Sequence, residues 1–163
     1  MQELKSVQIV VKIARILSII LLVCYIIAAV GGTFSLVLIN AMKGMDINGQ
    51  TFEKVLEESA KMSLVTINSV VTSALIFCVV GCVLAVMAIK VFKAELKLGT
   101  PFVESWAKRL LNFGIIEVCV SVGVGIVVAA VQSAFIRAGA VRYDFSSGGM
   151  LATGLFFIVC GLV

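Results

Sequence analysis

The run ILSIILLVCYIIAAVGGTFSLVLI, residues 16–39, contains 24 consecutive residues without a charged side chain. About 20 residues of α-helix cross the ~30 Å hydrocarbon core of a bilayer at ~1.5 Å per residue. The run therefore predicts a first transmembrane helix. A signal peptide is the competing interpretation, because basic residues precede the run, but its apolar region would have only about 7–15 residues.

Three further apolar runs follow, at residues 63–89, 110–136 and 148–163, and Glu117 is the one charged residue among them. The last run has only 16 residues, about 24 Å of helix, which is shorter than the ~30 Å core. We therefore expect the natural chain to continue past Val163. The pattern predicts an all-α, polytopic membrane protein, a single domain over residues 1–163, with four transmembrane helices arranged as two hairpins.

The composition independently places the chain in a bilayer. Of 163 residues, 61% are hydrophobic and 13% are charged, whereas soluble domains are about 45–50% apolar and about 25% charged. A chain this short could bury only about 60–70% of its surface, so the excess apolar surface must contact lipid. The net charge of +4 is modest, and we expect no direct partner among nucleic acids.

The basic residues are distributed unequally between the two sides of the predicted bundle. Eight lie in the amino-terminal segment and the central connector, and five lie in the other two connectors. The eight are Lys5, Lys12, Arg15, Lys90, Lys93, Lys97, Lys108 and Arg109; the five are Lys43, Lys54, Lys61, Arg137 and Arg142. Because positive charge in short loops favours the cytoplasm, we expect both termini inside the cell and a location in the cell membrane.

The central connector, residues 90–109, reads KVFKAELKLGTPFVESWAKR. We expect Gly99 to end one helix, Thr100 and Pro101 to begin the next, and Trp106 to lie at the membrane interface. A loop that returns the chain to the membrane accounts for these residues without a binding partner. It does not account for the additional lysines before the turn. The candidate cytoplasmic partner surface consists of Lys93, Lys97, Trp106, Lys108 and Arg109.

Three short motifs follow one another here: Glu95-Leu96-Lys97, Gly99-Thr100-Pro101-Phe102 and Lys108-Arg109-Leu110. Their order, before an apolar helix, resembles the DUF2975 family of small four-helix bacterial membrane proteins of unknown function. The resemblance is closer over residues 92–114 and looser over the four-span layout. Members usually complete the fourth helix and add an acidic cytoplasmic tail. Some are encoded beside a small DNA-binding protein, so the resemblance implies membrane-linked regulation.

The first connector, residues 40–62, is polar and has local signals of its own. Asn48-Gly49 indicates a turn, and Thr51 is placed to cap a short helix. Glu57 and Lys61 have the spacing of a favourable ion pair within that helix. We interpret the connector as an interfacial lead-in to the second span, with a receptor surface as the alternative.

Glu117 is the strongest single candidate for a functional residue. Carboxylates within a membrane are energetically costly and often mark an ion path, a proton relay or a buried partner. The structural alternative is that Glu117 pairs with a hydroxyl, with Asn112 or with a basic residue, or that it carries a proton. On the second run, Asn68 and Thr72 share a helix face that either forms interhelical hydrogen bonds or opens a polar cavity. Glu117, Asn68 and Thr72 together form the candidate intramembrane polar site.

Two pairs of small residues predict close helix contacts. Gly81 and Ala85 on the second run, and Ser121 and Gly125 on the third, have the spacing that lets membrane helices approach each other. The five cysteines all lie in apolar runs, and we interpret them as packing residues. We predict no metal site and no cofactor.

Catalysis is disfavoured because the chain contains no histidine and every lysine falls at a helix end or in a connector. We predict no catalytic residue and a non-enzymatic membrane protein that acts by binding a protein partner, in an accessory, regulatory or immunity role. The alternative is a small transporter or channel subunit that forms a homo-oligomer, with a polar route at Glu117 and the Asn68 and Thr72 face.

Overall fold

The computed structural model describes residues 2–47, 49–98, 104–143 and 148–162, although not the side chains of residues 2–7, 97–98, 104–106 and 161. Helix α1 covers Gln2–Met42, α2 covers Phe52–Ala60, α3 covers Leu64–Leu98, α4 covers Glu104–Arg137 and α5 covers Gly148–Leu162. A two-residue ladder of β1 (Asp46–Ile47) and β2 (Gln50–Thr51) lies between α1 and α2. The helical character predicted from the sequence is confirmed, and the small β-hairpin was not predicted.

Three of the helices are long and apolar enough to cross a membrane, over Gln8–Met42, Leu64–Leu96 and Ala107–Arg137. They cover nearly all of the predicted spans at residues 16–39, 63–89 and 110–136, and they extend beyond those spans at every end except the start of the second. Helix α5 is apolar but has 15 residues, about 22 Å of helix. It is therefore as short as the sequence indicated.

Helices α1 and α3 form an antiparallel pair. Their contacts begin beside the first connector and continue along both helices away from it. Asn68 of α3 donates to Asn40 of α1 at 3.5 Å. Deeper in the pair, a methyl group added to Gly32 would meet the Leu75 side chain at 2.9 Å. These contacts place the amino-terminal end of α3 beside the carboxyl-terminal end of α1.

Helices α4 and α5 form a second antiparallel pair. Their backbones lie so close at one point that no side chain fits between them. A methyl group added to Gly114 would lie 2.7 Å from the carbonyl oxygen of Gly154 and 2.8 Å from the backbone nitrogen of Ile158. Two glycines therefore bring the backbones of the two helices into direct contact. Helix α3 also packs against α4, so the two hairpins share one bundle.

The first connector contains the turn and the short helix predicted from the sequence. Its hydrogen bonds differ from the predicted ones. Gly49 has a φ of 83° and forms the turn between β1 and β2. Thr51 precedes α2, but its side chain makes no capping hydrogen bond. Glu57 accepts a hydrogen bond from the backbone N–H of Leu64 at 2.8 Å, so it caps α3 instead of pairing with Lys61 within the described residues.

The connector after α4 is held against the start of α3. Gly139 has a φ of 97° and ends α4, because the N–H of Ala140 and its own N–H bond to carbonyls of the last turn. The N–H of Val141 then donates to the Thr66 hydroxyl at 3.0 Å, and the Gln132 side chain donates to the carbonyl of Tyr143 at 2.8 Å. This end of the bundle is therefore tied together by polar contacts.

Candidate functional site

A groove with a volume of about 610 Å³ lies between the two hairpins, and we call it the lateral groove. It is lined by residues within 14–25 of α1, 77–92 of α3, 113–117 of α4 and 149–157 of α5. All four apolar helices thus contribute to one partly open space. Most lining side chains are apolar, and among the described residues Glu117 is the one charged residue that reaches it.

Glu117 is buried in this wall, and one of its two carboxyl oxygens has no hydrogen-bond partner among the described residues. The residue is 7% exposed, and the oxygen without a partner is Oε2. Ser121 donates to the main-chain carbonyl of Glu117 at 2.7 Å and not to its carboxyl group. Asn112, the partner considered from the sequence, lies five positions earlier on a different face of α4 and is exposed.

The two aliphatic hydroxyl groups of the lateral groove are already satisfied by their own helices. Ser18 donates to the carbonyl of Ala14 at 2.9 Å, and Thr153 donates to the carbonyl of Gly149 at 2.7 Å. Bonds of this kind compete little for a ligand, because each hydroxyl hydrogen is used within its helix. The Glu117 carboxyl group and the Tyr25 hydroxyl therefore remain as the polar side-chain groups of these lining residues that can bind a ligand.

Aromatic rings close one end of the groove. The ring centroid of Phe157 lies 5.2 Å from that of Phe113 in an edge-to-face arrangement and 6.3 Å from that of Phe92. Such pairs stabilise a contact beyond the area that they bury. Towards the other end, the Tyr25 ring covers Gly81, where an added methyl group would lie 2.7 Å from the ring.

Asn68 and Thr72 do not line the lateral groove. The nearest lining residue of the same helix is Phe77, nine positions after Asn68 and five after Thr72, which corresponds to about 14 Å and about 8 Å along α3. The structure therefore places Glu117 and the Asn68 and Thr72 face in separate regions. Between them, Ser69 and Ser73 of α3 are buried, and the Ser73 hydroxyl has no partner among the described residues.

The proposed cytoplasmic partner surface is described only in part. Lys93, Lys108 and Arg109 are exposed, whereas the side chains of Lys97 and Trp106 lie outside what the structure describes. The expected turn at Gly99, Thr100 and Pro101 also falls in a part of the chain that is not described.

A second buried carboxylate lies near this surface. Glu95 is 4% exposed and its Oε2 has no hydrogen-bond partner within the described chain. It does not line the lateral groove. The positive charge of Arg109 attracts its carboxylate. Glu95 therefore resembles Glu117 in burial and differs from it in surroundings.

The predicted packing residues are buried to different degrees. Gly81, Ala85 and Ser121 are buried and Gly125 is half-buried, and Gly81 makes the close contact expected of it, with Tyr25. The Gly114 and Gly154 contact was missed in the sequence. Each glycine has a bulky residue four positions later, so the small-residue spacing that signals such contacts is absent.

Comparison of the chain with family models, with curated proteins and with solved structures gives no match. The resemblance to the DUF2975 family stays a prediction from the connector motifs. The geometry of the lateral groove is therefore the main basis for a functional proposal.

Proposed function

We propose that this chain is a four-span protein of the cell membrane, with both termini in the cytoplasm, that acts by binding a partner and not by catalysis. The single observation that carries this proposal is the lateral groove, which holds a buried carboxylate without a partner among the described residues. A lone buried charge is costly unless it is paired. Residues of this kind within a membrane are typical of functional sites.

Support for four spans comes from α5, which is apolar throughout and packs its backbone against α4. Support for the orientation comes from the excess of basic residues in the amino-terminal segment and central connector. An accessory, regulatory or immunity role would add a cytoplasmic contact at Lys93, Lys108 and Arg109, which are exposed.

A small oligomeric transporter or channel subunit is the second candidate, and the buried polar residues of α3 favour it. Thr66, Ser69 and Ser73 are each at most 4% exposed, and they extend from the Asn68 region towards the level of the lateral groove. A route from Asn68 and Thr72 to Glu117 would have to pass along this row. In that case Glu117→Gln should abolish flux and leave the fold intact.

The binding proposal is tested by placing a photo-crosslinking amino acid at Leu21 and, as a matched control, at Ile20. Both positions lie on α1 and are 51% and 52% exposed, but only Leu21 lines the lateral groove. In native membranes we expect a discrete adduct from Leu21 that Ile20 does not give. The adduct should be lost in Glu117→Gln and retained in Glu95→Gln. Identical adducts from the two positions, or none from Leu21, would contradict the proposal.

A further inference from the structure

The lateral groove is elongated along the helix axes. It extends from Ala14 to Tyr25 on α1 and from Phe77 to Phe92 on α3, which corresponds to about 16–22 Å of helix. An extended molecule that lies along the helices would therefore contact the whole length of the groove.

The walls select for hydrocarbon along most of this length. Rings from Phe92, Phe113 and Phe157 line one end, and Tyr25 and Phe77 line the other. Its volume lies within the ~300–1,000 Å³ range of small-molecule sites, which are mostly apolar with a few placed polar groups. An occupant with an apolar chain would gain burial against these side chains.

The carboxyl group of Glu117 favours a cation, because a positive charge beside it stabilises its ionised form. Its carboxylate lies between the two aromatic ends, is 7% exposed, and has no described side chain paired with Oε2. A buried carboxylate gains most from a positively charged donor, since such hydrogen bonds are about twice as strong as neutral ones. An anionic chain would be repelled by the ionised carboxylate, and a neutral donor would give it only the weaker kind of hydrogen bond.

We propose that the lateral groove binds a lipophilic cation, a molecule with a hydrocarbon chain and an ammonium group that pairs with Glu117. The inference rests on the proposed function, since it takes the groove to be the binding site, and it adds the chemical class of the ligand. Cations bound to ring faces are also stabilised, and the aromatic ends provide such faces.

The test compares spin-labelled stearylamine, stearyl alcohol and stearic acid, with the whole chain in phosphatidylcholine nanodiscs. The measured quantity is the fraction of each probe whose motion the protein restricts. We expect the wild-type chain to prefer the amine over the alcohol by about tenfold, with the acid no better than the alcohol. This comparison changes only the ligand and so does not depend on the folding of a variant.

Two carboxylate variants locate the preference. Glu117→Gln should bring amine and alcohol to within about twofold of each other, whereas Glu95→Gln should keep the tenfold preference. Ala88→Phe, which places a ring in the groove wall, should reduce restriction of the amine. A preference that survives Glu117→Gln or Ala88→Phe would overturn the proposal, because the cation would then bind elsewhere.

The remaining outcomes separate this inference from the proposed function. If the wild-type chain restricts all three probes equally and Leu21 gives a protein adduct, the occupant is a protein and the cation proposal is overturned. If Leu21 and Ile20 give the same adducts while the amine preference stands, the lateral groove is a binding site for the cation, and the proposal that a protein partner occupies it fails.

Discussion

Glu57 shows how much of a connector can depend on one side chain. It lies on α2, and its Oε1 atom accepts the N–H of Leu64 at the start of α3. The first four N–H groups of a helix have no partner within the helix, so a carboxylate there satisfies a donor and also favours the helix dipole. The short helix that the sequence predicted as a lead-in is thereby attached to the helix that follows it.

We expect Glu57→Ala to destabilise the first turn of α3 by about 1 kcal/mol, the usual cost of losing a capping side chain. Hydrogen exchange at the Leu64 amide in nanodiscs measures this directly. The matched control is Glu58→Ala, since Glu58 is the next residue and is exposed. Equal exchange rates in the two variants would show that Glu57 does not cap α3.

At the scale of elements, the contact between α4 and α5 depends on the absence of side chains. The atoms that would meet a methyl group at Gly114 include backbone atoms of Gly154 and Ile158, which cannot rotate away. The wall of the lateral groove that α5 provides therefore depends on this pair of glycines.

We expect Gly114→Ala to lower the free energy of unfolding by about 1–3 kcal/mol, as overpacking does in a tight interior. The measurement is denaturation in mixed micelles. Gly123→Ala on the same helix is the control, because nothing lies within 4 Å of a methyl group added there. Its effect should be neutral, or stabilising by up to about 1 kcal/mol. Equal losses in both variants would argue against backbone contact at Gly114.

At the scale of the whole molecule, the side of the membrane on which α5 ends distinguishes four spans from three. The prediction of four spans requires the connectors after α1 and after α4 to lie outside and the end of α5 to lie inside. We expect cysteines at Lys54 and Arg142 to react with a membrane-impermeant thiol reagent in intact cells. Cysteines at Lys93 and Leu162 should react only after the cells are permeabilised.

These variants are made in a chain whose five native cysteines are replaced by alanine. All four introduced positions are exposed on the surface of the bundle, so burial within the protein does not account for differences in labelling. Labelling of Leu162→Cys in intact cells, with Lys93→Cys protected, would leave three spans and place the end of α5 outside.

The sequence by itself determined that this protein is helical and has helices that can cross a membrane. It predicted four such helices, and three of the described helices are long and apolar enough. Runs without charge have one stable form in lipid, because every backbone group must find its partner within the helix. It also identified Glu117 as unusual and Gly81 as a packing residue, since one is costly and the other permits a close approach.

Only the tertiary structure decided which side chains share a site. The lateral groove takes residues from four helices that are up to about 140 positions apart in the chain, and no local period encodes that meeting. The same holds for the contact between Gly114 and Gly154, and for the separation of Asn68 from Glu117. These depend on the register and the rotation of each helix against its neighbours, which are set by packing many side chains at once.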